Sequence, residues 1–89
     1  METPDELPIP QTVLGATSKA EMARIWIADG NQVVILSPRT WDDPGAWGLM
    51  LVDLAMHVSR AYAAKGITAE AALSRIRECF DAEWKHPTQ

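Results

Sequence analysis

Asp43 to Ala64 reads as one helix that is apolar almost all the way round, its only continuous polar stripe being Asp53, His57 and Arg60. A helix buried on most of its circumference needs cover on several sides. A chain of 89 residues has little material to provide it. The expectation is that a second copy of the chain supplies part of that cover.

The helix has a clear start and a clear end. Asp43 can accept the free N–H groups of the first turn, and Pro44 suits the first helical position, where its missing donor costs nothing. Asp42 and Asp43 also suit the positive end of the helix dipole. Trp47, Leu51, Leu54, Ala55, Val58 and Tyr62 form the stripe expected to face the core, and Leu49, Val52 and Met56 form a second apolar flank. Lys65-Gly66 ends the helix, with Gly66 free to take the left-handed conformation. Thr68 caps a second helix, and Ile67 can pack back on its first turn. Ala69, Leu73, Ile76, Phe80 and Trp84 recur along it at helical spacing, and Pro87 stops it.

Before the helices, Met22 to Ser37 predicts a β-hairpin. Ile25-Trp26-Ile27 and Val33-Val34-Ile35-Leu36 are rich in β-branched and aromatic residues, and Asp29-Gly30-Asn31 between them tolerates a tight turn. With Gly30-Asn31 as the two-residue loop, Ile27 faces Val34 and Ile25 faces Leu36. The other face carries Trp26, Ala28, Val33 and Ile35. Both faces are then apolar, whereas a half-solvated hairpin alternates, and an isolated hairpin is only marginally stable. Residues 1–18 hold the prolines and acids of the N-terminus and are expected to be extended and partly mobile, with Ile9, Val13 and Leu14 able to lay a short edge strand or loop against the body. Residues 19–89 then form a single α+β domain: a hairpin followed by two helices packed on one sheet face, with the sheet or a helix interface completed by dimerisation.

Composition excludes several function classes. The net charge of −4 and pI near 4.9 argue against nucleic acid, because neutralising phosphates takes clustered Lys and Arg. The eight basic residues are scattered, which also disfavours an anionic membrane. No apolar run reaches transmembrane length, and the acidic start Met1-Glu2-Thr3-Pro4-Asp5-Glu6 is unlike a signal peptide. A single cysteine, Cys79, rules out an intramolecular disulfide. These features predict a cytoplasmic protein.

Several blocks together carry a resemblance: Arg24-x-Trp26; Trp41-x-Asp43-Pro44-x-x-Trp47-Gly48; Leu51-x-Asp53-x-x-x-His57-x-x-x-Ala61-Tyr62; and Ile76-x-x-x-Phe80-x-Ala82-Glu83-Trp84-x-x-Pro87-Thr88. Over roughly Arg24 to Thr88 the chain resembles a group of small bacterial proteins classed only as a domain of unknown function. The resemblance implies a bacterial cytoplasmic setting and lends no activity, cofactor or catalytic residue.

Candidate chemistry is sparse. Asp53 and His57 are four apart and share a helix face, with Arg60 one turn on; an aspartate that orients a histidine serves general-base catalysis or metal ligation. The plainer reading is a solvated helix side, since surface pairs are common and weak. Two ligands do not make a zinc site, and Glu83 or His86 could complete one only through folding, so no metal and no cofactor is expected. Cys79 is read as a partly buried structural thiol, and Ser59 and Ser74 lack a nucleophile-elbow context. Trp47 and Trp84 are assigned to packing, whereas Trp41, in a loop beside Arg39, is a candidate ligand contact. Arg24 and Arg39 flank the helix start and could hold an anion, although pairing with Asp42 or Asp43 is the simpler outcome. Gly48 suggests close approach of another backbone. The function expected is a non-enzymatic dimeric interaction or regulatory module, its interface drawn from Leu49, Val52, Met56, Trp26 and Ile35. The alternatives are a small enzyme or metal-binding protein using Asp53, His57 and Arg60, or a small-ligand binder near Trp41 and Arg39.

Overall fold

The structure, a computed structural model, describes residues 4–88. Met1 to Thr3, part of the N-terminal segment expected to be extended, lie outside the described residues. The elements in order are α1 (Gln11–Leu14), β1 (Ala23–Ala28), β2 (Asn31–Leu36), α2 (Gly45–Ala63) and α3 (Ala69–Lys85). The fold is α+β, a hairpin followed by two helices. The chain divides into two compact units, Met1–Thr40 and Trp41–Gln89.

In the first unit, α1 stands where an edge strand or loop was expected. Pro10 is extended (φ −70°, ψ 154°), and its carbonyl accepts the N–H groups of Val13 and Leu14 at 3.0 and 3.1 Å. That closes one helical turn, so Val13 and Leu14 cannot join the sheet. The Lys19 ammonium donates to the Leu14 carbonyl at 2.9 Å, which satisfies the end of the turn with a cation where the dipole favours one.

β1 and β2 pair antiparallel, Ala28 opposite Asn31, Trp26 opposite Val33 and Ile25 opposite Val34. The loop is Asp29-Gly30 rather than Gly30-Asn31. Both residues have positive φ, 51° and 79°, the primed turn whose twist matches the strands. The correction moves each partner by two positions. Side-chain direction has period two, so the face membership expected from the sequence survives. One face carries Ala23, Ile25, Ile27, Gln32, Val34 and Leu36; the other carries Arg24, Trp26, Ala28, Asn31, Val33 and Ile35.

In the second unit, local chemistry sets each helix end. The Asp43 carboxylate accepts the Gly45 N–H at 2.9 Å, which opens α2 as the Asp43-Pro44 pair predicts. Gly66 has φ 88°, and Ile67 N–H reaches back to the Tyr62 carbonyl while Gly66 N–H reaches that of Ala63. This pair of bonds is the Schellman arrangement, and it satisfies carbonyls that α2 would otherwise leave free. The Thr68 hydroxyl accepts the Ala71 N–H at 3.1 Å and starts α3. With so short a connection, α3 returns against α2, and the two helices pack together.

The buried residues of this pair are small: Ser59 on α2 and Ala72 on α3. Ala55, Leu73 and Ile76 are half-buried. The stripe expected to form the core is only partly covered, for Leu51, Leu54, Val58 and Tyr62 remain exposed. The helices therefore meet along small side chains, and the large ones flank the seam. No large side chain among the described residues is fully buried.

Candidate functional site

The residues expected at an interface lie on open surface. On α2, Leu49 is 77% exposed and Val52 60%, with Met56 beside them. These three fall on one side of the helix at i, i+3 and i+7 spacing. Leu51, Leu54, Val58 and Tyr62 form a second exposed flank. α3 adds Phe80 and Trp84, whose rings stack at 5.5 Å between centroids. Trp84, assigned from the sequence to packing, is 74% exposed; it sits in the last turn of α3, stacked on Phe80. On the hairpin every residue of β2 is exposed, Ile35 among them, while Trp26 is half-buried.

Trp26 and Arg24 have cover of their own within the first unit. An open groove of about 580 Å³ runs beside β1, lined by Leu7, Ile9, Val13, Leu14 and Trp26 among others. Arg24 closes part of its wall, donating from Nη1 to Glu6 and from Nε to Glu21, both at 2.8 Å. These bonds, first that to Glu21 and then that to Glu6, raise the guanidinium pKa above its ordinary value. The pairing expected for Arg24 was with Asp42 or Asp43. The two glutamates take it instead: Glu21 is three residues away in the run leading into β1.

Asp53 and His57 do meet. His57 Nδ1 lies 2.8 Å from the Asp53 backbone carbonyl and 3.6 Å from its carboxylate. Both side chains are open to water, 65% exposed for His57 and 75% for Asp53. A histidine whose Nδ1 engages the carbonyl one turn back has a fixed ring orientation, and among the described residues its polar contacts are with Asp53. Among the described residues no group of three or more His, Cys, Asp or Glu could hold a metal ion. Glu83, considered from the sequence as a possible ligand, is spent elsewhere: it accepts from the Thr88 hydroxyl at 2.8 Å and from the Thr88 N–H. The hydroxyl bond first, and the backbone bond second, hold the Glu83 carboxyl below its ordinary range. Sequence reading missed this clasp, although the spacing Glu83-x-x-x-Pro87-Thr88 carries a signal for it: the proline ends the helix and turns the next donor back.

Trp41 packs edge-on against Trp47, centroids 5.1 Å apart and planes at 71°, a geometry that ring quadrupoles favour. One of its surfaces is thus occupied by the protein itself. The Arg39 N–H donates to Ser37 Oγ at 3.0 Å. Cys79 is exposed rather than partly buried, because it lies just off the Ile76–Phe80 stripe of α3. Among the described residues the buried polar side chain is Ser59, which donates to the Met56 carbonyl at 2.7 Å. Gly48 has nothing within 4 Å of where a Cβ would sit among the described residues, so the close backbone approach it suggests is not seen there. No helix is long and apolar enough to cross a membrane among the described residues.

The family described as a domain of unknown function (DUF5076) matches residues 6–88, a span that runs through both units. The chain is also similar to a solved structure from the photosynthetic bacterium Rhodopseudomonas palustrus CGA009, described as a "putative pyruvate dehydrogenase". The two share 39% identity over 100% of this chain and 92% of that one, with a TM-score of 0.79. No curated protein matches the chain.

Proposed function

This chain belongs to the DUF5076 family, a domain of unknown function, and from that premise we propose that it is a non-enzymatic interaction or regulatory module that works as a homodimer. One observation carries the reading. α2 bears two separate apolar flanks, Leu49-Val52-Met56 and Leu51-Leu54-Val58-Tyr62, and both are exposed. A two-stranded hairpin can cover one such flank, not both. The surplus therefore persists for any arrangement of a single chain, and exposed apolar surface of this extent marks a protein interface. Leu49, Val52 and Met56 on α2 and Ile35 on the hairpin are the residues the module offers to its mate, with Trp26, half-covered by its own segment, at the margin.

Two further points support the choice. A catalytic centre needs polar groups preorganised away from water, whereas Asp53 and His57 are open to it and Ser59 is consumed by its own helix. The activity in the Rhodopseudomonas protein's description is not carried over for the same reason: breaking down a 2-oxo acid calls for an electron sink held in a shaped, dry site. An exposed, unpaired Cys79 fits a reducing bacterial cytoplasm.

Sedimentation equilibrium of the full chain tests the reading. Twice the chain mass of 9.8 kDa at low micromolar concentration is the expected result. A single-chain mass throughout the accessible concentration range would overturn it.

A further inference from the structure

The two edges of the hairpin are not alike. β1 contains Arg24, and Glu21 and Arg24 are joined at its start by an ion pair. β2 runs Asn31-Gln32-Val33-Val34-Ile35-Leu36 with no charge, no proline and no glycine, and all six residues are exposed. Natural sheets guard a free edge with charges, prolines or bulges, because its unpaired N–H and C=O groups recruit another strand. Here β1 holds a charged residue within the strand and β2 holds none.

The register identifies which groups are free. Residues flanking a two-residue primed turn bond to each other, so Asn31, Val33 and Ile35 direct their backbone groups at β1. The Ser37 N–H, which donates to the Met22 carbonyl at 2.9 Å, continues that odd-numbered series. Gln32, Val34 and Leu36 consequently present N–H and C=O outward, with no acceptor or donor in the hairpin.

We propose that β2 pairs antiparallel with β2 of a second copy, about a two-fold axis through Val34. The inference rests on the homodimer reading and names the element that joins the two copies. Such an axis stands perpendicular to the sheet and keeps each face on its own side, so paired residues must share parity. Val34 then meets Val34 of the other copy and each gives its N–H to the other's carbonyl, while Gln32 meets Leu36. Every outward group of the strand finds a mate.

A second copy is the occupant that the charges select. Each chain carries −4, so two copies repel over most of their surface, and uncharged β2 is where they can approach without that penalty. The pairing also converts a marginal two-stranded ribbon into a four-stranded sheet. One face of that sheet joins Ile25, Ile27, Val34 and Leu36 from each copy into a single apolar floor. On the other face each copy keeps its own groove-lining segment beside Trp26.

Amide hydrogen exchange on the full chain, followed residue by residue under the dimeric condition, is the direct test. Gln32, Val34 and Leu36 should exchange as slowly as Val33 and Ile35, and more slowly as protein concentration rises. Val34→Pro supplies the second arm. The Val34 N–H is not part of the bonds between β1 and β2, so proline there leaves the hairpin ladder whole and removes two bonds per dimer. The association constant should fall about tenfold or more, with Val33 and Ile35 still protected. If the assembled protein exchanges Gln32, Val34 and Leu36 at the rate of exposed amides, the β2 pairing is wrong and the dimer stands on another surface. A protein that never exceeds one chain in mass removes both. Should Val34→Pro fail to fold, the exchange pattern of the native chain decides alone.

Discussion

Helices α2 and α3 are similar in length and lie against each other, yet they meet water differently. α3 carries seven charged residues among its seventeen, and its outward side is laced with pairs: Arg75 to Glu78 at 2.7 Å and Arg77 to Asp81 at 2.9 Å. Such surface pairs contribute little to stability. They do mark a face that solvent is meant to wet. α2 has nineteen residues with only Asp53 and Arg60 charged, and its bare surfaces are leucine, valine and methionine. One helix has a side built for solvent; the other has none, and its apolar flanks are the ones proposed above to meet a second copy.

The largest effect is expected at Val52. Val52→Asp places a charge in the proposed interface, once from each copy, and should raise the dimer dissociation constant by roughly a hundredfold or more in sedimentation experiments. Ser74→Asp, the same kind of change on the exposed side of α3, should leave that constant unaltered. Equal effects at the two sites would erase the distinction between the helices. A smaller effect is expected at the helix starts. Asp43→Ala and Thr68→Ala each remove a bond to a first-turn N–H and should cost about 1 kcal/mol, seen as a fall of about 4–8 °C in Tm for a domain of this size. These losses should be alike for α2 and α3, because both helices depend on local caps whatever covers their sides.

The smallest effect is expected at the end of α3. The Glu83 carboxyl is held below its ordinary value of 4.5 by Thr88. A carboxyl whose pKa is depressed by folding contributes stability that is fully present above its unfolded pKa and is lost as pH falls through the folded one. Thermal melts of the native chain and of Glu83→Gln should therefore differ slightly at neutral pH and converge as the pH falls through and below the ordinary carboxylate range. The group is exposed, so the gap should be small; a gap that widens in acid would contradict the clasp.

How much of this was legible in the residues depends on the range of the interaction. Caps and turns are decided within a few positions, and Asp43-Pro44, Gly66 and Thr68 read correctly for that reason. The hairpin was legible in kind and in its two faces, but the loop was placed one residue late. Asp-Gly is the stronger primed-turn pair, and reading Gly30-Asn31 gave weight to the asparagine that follows it. Register slips of two cannot be seen in a pattern of period two. The α1 turn escaped notice because four residues after a proline carry no periodicity.

Burial was the hardest part to read. Periodicity tells which side chains of α2 share a side, and the Trp47-to-Tyr62 stripe was correctly grouped. It cannot tell which of several apolar sides meets a neighbour, and α3 packs along Ala55 and Ser59, where the side chains are small. The same ambiguity misplaced Cys79 and Trp84, both near the edge of the α3 stripe, where a shift of a few tens of degrees decides between contact and solvent. Asp53 and His57 were legible as neighbours because i,i+4 geometry is local. Their exposure was not, since it depends on everything else in the fold.

The connections inside each hairpin are brief: two residues join the strands, and five join the two helices. Chains whose contacts close over such short loops find them in microseconds to milliseconds. Ribbon and helix hairpin should each be formed well before two molecules collide. On the homodimer proposal, assembly is the slow, second-order event, and its pace is set by how much chain has been synthesised rather than by how the chain folds.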